Sequence, residues 1–352
     1  MRIKTLATAV TFSLVGLTLS SHSYSADAEY TFKLHHMLPP MAMPHAEFLE
    51  PWAEKIEQES GGRIDIEIYP AMQLGGKPPQ LFDQARKGIV DMTWTVGGYT
   101  PGRFPKAKVF ELPFMPASAK ATSMALQAYA ESEMSDELAD VHLLAMHTHA
   151  PGSLHSREKS IQTSADLERT NFRSPNKVMA DAFSPYGTNS IFMPVTQMPS
   201  AVSKGVLDIA VLPYEVVASM KIHQLVKHHT EIPGERGLYT QFFVFAMNKD
   251  AYASLPPDLQ EVIDNNSGIE LAGHIGSLFD KHERLAKQQA VEQGNSFHVL
   301  SEQERDHWVN TMTPVHDVWI KDMTERGYPG EHLYKRAKAL IQQYAEQVNG
   351  ES

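Results

Sequence analysis

The chain has 352 residues of globular composition, 42% hydrophobic and 21% charged, long enough to bury a large core as two lobes. A net charge of −11 argues against nucleic acid and anionic membrane surfaces as partners, so an anionic ligand would need a local cation to hold it. The chain contains no cysteine, which excludes disulfides and thiolate metal sites and leaves stability to the core.

The first residues read as a secretory signal. Arg2 and Lys4 precede an uncharged, largely apolar run, Leu6–Ser20, and the small residues around Ser25 and Ala28 offer cleavage sites. The run is short for a membrane span, so residues 1–26 are expected to be removed on export. After them, Tyr30–Met37 alternates as a strand. Phe48, Leu49, Trp52 and Ile56 share a helical face, and Ile64, Ile66 and Ile68 alternate as a strand ending at Pro70. A helix over Gln80–Lys87 then stops at Gly88 and leads into a buried strand, Ile89–Trp94. This β-α-β-α-β order is that of a largely parallel sheet wrapped by helices.

A second series begins near residue 142. Strands are expected at His142–His149, Thr170–Pro175 and Ser190–Val195, with helices over Val178–Gly187 and Met198–Lys204 and a strand over Val206–Pro213. Lys87-Gly88-Ile89-Val90-Asp91 and Lys204-Gly205-Val206-Leu207-Asp208 repeat one pattern, Lys-Gly, two aliphatics and Asp. Each reads as a helix end, a glycine cap and an entering strand, one per lobe, and such strands aim their carboxyl ends at a shared ligand space. Leu238–Asp250 returns as a strand to the first lobe, a long helical stretch from Leu255 to about Gln293 crosses both lobes, and the remainder is helical.

Over essentially the whole mature chain, the sequence resembles the DctP-type substrate-binding proteins of TRAP transporters. The resemblance is carried by ESGGRIDIEIYPAMQLGG, FELPFM, SADLERTNFRSP, MPVTQMPSAVSKGVLD, LPPDLQEVID and the Lys-Gly pattern. It implies a two-lobed α/β periplasmic receptor, with a mixed, largely parallel sheet in each lobe, hinge strands and a long helix spanning both. Lobe I is expected over 27–148 and 238–280; lobe II with the C-terminal helices over 149–237 and 281–352. The receptor closes over its ligand and delivers it to the small and large subunits of a membrane permease.

The resemblance also implies that Arg173 pairs with a ligand carboxylate, which suits its planar fork of donors. Positions that are polar or aromatic in some relatives are here Val96, Leu212, Val195 and Ser153, which disfavours a sugar acid. Trp94, Tyr99, Tyr214 and Phe242 are candidate walls, so the expected ligand is a monocarboxylate with an apolar or aromatic body. His149 or His155 is a candidate neutral donor, as is His36 (with His35) from the first lobe. Glu215 either orients a ligand amine or hydroxyl or caps structure. His147 and His149 can share a strand face, but no carboxylate stands at ligand spacing, so no metal or other cofactor is expected. No G-x-S-x-G elbow, phosphate loop or HExxH occurs, which disfavours a secreted hydrolase or metal enzyme. A receptor that reports to a membrane sensor remains the alternative to a transport component.

Overall fold

The computed structural model describes residues 28–100 and 102–350; the expected signal, residues 1–26, lies outside them. The strands are β1 (Tyr30–His36), β2 (Ile64–Tyr69), β3 (Met92–Val96), β4 (Val141–Thr148), β5 (Ser153–Ser156), β6 (Asn171–Ser174), β7 (Asn189–Phe192), β8 (Ile209–Leu212), β9 (His228–Glu231), β10 (Phe242–Asn248) and β11 (Ser296–Val299). The helices are α1 (Glu50–Glu59), α2 (Leu81–Arg86), α3 (Ala119–Glu133), α4 (Lys177–Phe183), α5 (Met198–Ser203), α6 (Tyr214–Ser219), α7 (Lys249–Ala253), α8 (Pro257–Asn265), α9 (Gly268–Glu292), α10 (Glu302–Met312), α11 (Pro314–Glu325) and α12 (Gly330–Gly350).

They build two mixed sheets, one per lobe, ordered β2-β1-β3-β10-β4 and β11-β9-β5-β8-β6-β7. In the first, β1 runs parallel to β2 and β3, while β10 is antiparallel to both β3 and β4. In the second, β6 is parallel to β7 and β8, β9 is parallel to β11, and β5 is antiparallel to its neighbours. The chain passes from β4 to β5 and later from β9 to β10, crossing between sheets each time. The two crossings are bonded to each other: Gly152 N–H donates to Tyr239 O (2.9 Å), and Thr240 Oγ1–H donates to His149 O (2.7 Å). Paired extended segments of this kind let lobes swing while keeping register.

The repeated Lys-Gly pattern does the same work in each lobe. Gly88 and Gly205 take left-handed φ of 68° and 71°, ending α2 and α5 where a side chain would be strained. The next aliphatic is exposed and the second is buried: Ile89 then Val90, Val206 then Leu207. Each aspartate then accepts a backbone N–H of a neighbouring strand, Asp91 from Lys33 and Asp208 from Asn171, both at 2.8 Å.

Three features depart from the sequence expectations. The first helix begins as a π-turn over Pro44–Leu49 before α1; Pro51 lacks an N–H and crowds the preceding turn, which the wider winding relieves. The long helical stretch is two helices, broken at Gly268 with φ of 77°; its longer member, α9, packs on α3 and β4 of the first lobe and on α6 of the second. Of the C-terminal helices expected with the second lobe, α10 joins its core through Trp308 and Met312, and α11 touches that core through Val315. Trp319 of α11 and Leu333, Ala337 and Leu340 of α12 insert their apolar faces into the core of the first. Strands β9 and β11 carried too weak an alternation to be anticipated.

Candidate ligand-binding site

Between the sheets lies a narrow cavity, about 430 Å³ of space not filled by protein atoms with adjoining open solvent included. The crossing segments border it through His149, Tyr239 and Gln241; β3 and the turn after it supply Trp94, Val96 and Tyr99; the second lobe adds Arg173, Val195, Leu212 and Glu215. Arg173, Trp94, Tyr99, His149 and Glu215 are thus brought together as the sequence led us to expect.

Arg173 comes off the end of β6 and is completely buried. Its Nε and Nη2 donate to Met193 O (3.2 and 3.1 Å), Nη1 to Val211 O (3.3 Å), and Nη2 also to Tyr99 Oη (3.4 Å). All three acceptors are neutral, and among the described residues no carboxylate pairs with it. Glu111, also fully buried and set against Gly98, is pushed up to about 8 by burial, so it holds a proton at neutral pH. A buried cation surrounded only by neutral dipoles is costly, because desolvation is not offset by a counter-charge. Tyr99 Oη accepts a second bond, from Val195 N–H (2.9 Å), and its own hydrogen has no acceptor among the described residues. One guanidinium N–H and one phenol O–H thus remain without protein partners.

The remaining wall is apolar or internally satisfied. Trp94 and Phe243 stack with ring centroids 4.8 Å apart and planes 9° off parallel, and the indole N–H donates to His147 Nε2 (2.8 Å). His149 Nε2 accepts from Gln241 N–H (3.1 Å), which puts the proton of the neutral ring on Nδ1, donating to Ala150 O (2.5 Å). His149 therefore borders the cavity with its ring and has no nitrogen left over to donate to a ligand. The same bonds occupy the Nε2 lone pairs that a metal shared by His147 and His149 would need.

Four expected site residues stand outside this wall. His36 points back into its own lobe, bonded through Nε2 to His45 Nδ1 (2.8 Å) and accepting Leu38 N–H at Nδ1 (3.2 Å). His155 Nδ1 meets His229 Nδ1 (2.6 Å) and its Nε2 meets Leu212 O (3.0 Å), one layer behind the cavity. Tyr214 opens α6, and successive helical residues diverge by about 100°; Glu215 faces the cavity while Tyr214 turns to Glu231 (3.1 Å). Phe242 is one residue out of phase on β10: it joins Val244 and Ala246 in the core behind the sheet, and Phe243 is the ring that faces the ligand space. Tyr239, Gln241, Phe243 and Phe279 were not anticipated. Strict alternation counted from Tyr239 would have picked out Gln241 and Phe243 together.

Burial of many histidines and a few carboxyls sets the expected pH profile. His36, His147 and His155 are held at about 3, and His149 and His229 at about 4, in each case mainly by burial. Folded, they stay neutral where the unfolded chain takes up protons, so their contribution is lost as pH falls from about 6.5. Burial holds Glu111 and Glu283 up at about 8 and Glu137 at about 7; these keep protons that the unfolded chain has released, so stability falls as pH rises from about 4.5 to 8. The histidines outnumber the carboxyls below pH 6.5 and the carboxyls act alone above it. The urea midpoint is therefore expected to peak near pH 6.5 and fall on both sides; a midpoint climbing steadily to pH 8 would contradict these buried protonation states.

The chain matches the bacterial extracellular solute-binding proteins of family 7 (DctP) over residues 34–322. Its fold is similar to that of a marine metagenome TRAP solute-binding protein specific for aromatic acid ligands, crystallised with meta-hydroxyphenylacetate and with 3-hydroxybenzoate (46% identity, 90% of this chain and 99% of that one, TM-score 0.88). A TRAP solute-binding protein from Rhodoferax ferrireducens with copurified benzoate is 40% identical over the same shares of each chain, with a TM-score of 0.88. Among curated relatives, the C4-dicarboxylate-binding periplasmic protein DctP of Rhodobacter capsulatus is 24% identical over 321 residues, 89% of this chain and 93% of that protein. With its two sheets, its paired crossings and a buried arginine between them, the chain belongs to the bacterial extracellular solute-binding proteins of family 7.

Proposed function

We propose that this protein is the exported receptor of a TRAP-type transporter, capturing a small aromatic monocarboxylate between its closing lobes and delivering it to a membrane permease from the periplasm. One observation carries the reading: a completely buried guanidinium with no carboxylate partner among the described residues, facing a cavity whose wall is otherwise mainly apolar and aromatic. A ligand carboxylate can accept from the open Arg173 N–H and from Tyr99 O–H, supplying the missing counter-charge. The remaining wall, including the aliphatic Val96, Val195 and Leu212, suits a ring and, with Gln241 and Glu215 as its partly unpaired polar side chains, has few groups for a polyhydroxylated body. The similarity to receptors crystallised with benzoate and hydroxybenzoate supports the same class of ligand. The cavity wall carries no serine, threonine or cysteine, and capture requires no bond to be made or broken.

In a thermal-shift screen, benzoate and phenylacetate are expected to raise Tm and glucuronate to leave it unmoved. Because Trp94 borders the cavity, the same acids should change indole fluorescence, with or without EDTA. Stabilisation by uronic acids and not by aryl acids would overturn the ligand class, and loss of binding in EDTA would point to a bridging metal. Vesicles carrying both permease subunits should accumulate the acid only when this protein is added; uptake without it would refute the transport role.

A further inference from the structure

The reading above accounts for the donors on the cavity wall; Glu215 is a separate polar group on it. It is 3% exposed, yet it borders the cavity. One carboxyl oxygen accepts from Ser219 Oγ–H (2.6 Å), and no other hydrogen bond or ion pair reaches the carboxyl among the described residues. A carboxylate offers about four acceptor positions, so this buried group is left short of donors. It does not serve as the cap of α6, because Glu283 takes the Tyr214 and Glu215 backbone N–H groups (2.9 and 3.0 Å). The neighbouring cavity wall of Val216, Leu38, Phe243 and Phe279 has no donor to give it. Of the other polar groups on the wall, His149 and Tyr239 are taken up internally, the latter donating to Val211 O (2.9 Å), and Gln241 Nε2 donates to Pro175 O (3.4 Å) and not to Glu215.

Arg173 and Glu215 do not pair with one another. The charge of Arg173 acts on Tyr99, His149 and Tyr239, whereas Glu215 is raised first of all by burial, with Ser219 and His282 acting the other way. The cavity wall therefore presents donors at Arg173 and Tyr99 and a separate acceptor at Glu215. Resting on the aryl-acid reading, we propose that Glu215 accepts a hydrogen bond from a ring hydroxyl of the ligand, which makes the substrate class hydroxyaryl monocarboxylates. A second carboxylate at that place would have to be desolvated beside a carboxyl already pushed up by burial and would be rejected, while a bare ring would leave the buried acceptor unpaired.

The test is the ratio of dissociation constants measured by calorimetry on the full mature chain. In the wild-type protein, the better of 3- and 4-hydroxybenzoate is expected to bind about ten-fold more tightly than benzoate. The corresponding fluorobenzoate, similar in size but with no proton to give, should bind like benzoate, and isophthalate and terephthalate should bind worst. In Glu215→Met the benzoate-to-hydroxybenzoate ratio should collapse to about one, whereas Glu215→Gln, which keeps an acceptor oxygen, should hold an intermediate ratio. A hydroxyl advantage that persists in Glu215→Met, or is absent in the wild-type protein while benzoate binds, overturns the proposal. Should Glu215→Met not fold, the fluorobenzoate comparison decides alone. Failure of the wild-type protein to bind any of these acids refutes the aryl-acid reading itself.

Discussion

Arg173→Ala is expected to weaken benzoate binding by ten- to a hundred-fold or more, a loss on the order of 1.5–3 kcal/mol for a charge-assisted contact. The carboxylate loses its only buried counter-charge, and the phenol of Tyr99 alone cannot replace it. Two effects on stability oppose each other. Met193 O loses its Arg173 donors and Val211 O keeps only that from Tyr239 among its side-chain donors, which costs, while an unpaired buried cation is removed, which relieves a desolvation penalty. The urea midpoint should therefore move far less than the affinity. Arg173→Lys keeps the charge but loses the planar fork that reaches Met193 O, Val211 O and Tyr99 at once, so its affinity should fall between the two. Calorimetry with benzoate checks the series; an unchanged Kd in the alanine variant would remove Arg173 from the site.

Gly97→Ala is expected to have the largest effect on stability. A Cβ on Gly97 would lie 1.9 Å from Phe242 Cε2 and 2.6 Å from two further ring carbons. Phe242 is itself fully buried, wedged against Phe104 (centroids 5.8 Å apart, planes at 88°), and has nowhere to move. Overpacking of this degree costs about 3 kcal/mol, and Tm should fall by several degrees. Shortening the ring should restore what the methyl removes, so Phe242→Leu combined with Gly97→Ala should be more stable than the two separate losses predict. Strictly additive losses in urea unfolding would show that the ring and the glycine do not share that space.

This pair also shows where the sequence misleads. Phe242 and Phe243 are adjacent aromatics in an unbroken apolar strand buried on both faces, so hydrophobicity alone does not tell which ring faces the ligand. The answer depends on strand phase, and phase is set by register with β3 and β4, which pair Phe243 with Val96 and His147. The histidines follow the same logic. His36, His149 and His155 were all legible as strand-end residues near a cleft, but each has its ring nitrogens engaged by a neighbour. Those neighbours, His45, Gln241 and His229, stand 9, 92 and 74 residues away in the chain.

The sequence by itself determined what is local. Apolar periodicity placed most strands and helices, and glycines with no side chain to strain marked where α2 and α5 stop. The repeated Lys-Gly pattern announced two lobes, and one arginine at a strand end announced an anion. Tertiary structure alone decided which faces meet: that Phe243 and not Phe242 looks inward, that α12 and most of α11 pack with the first lobe, and that Arg173 and Glu215 border one cavity without pairing. The physical reason is that a backbone conformation is chosen by a residue and its near neighbours. A binding site is chosen by register and packing between segments far apart in the chain, where a shift of one residue turns every side chain to the other face.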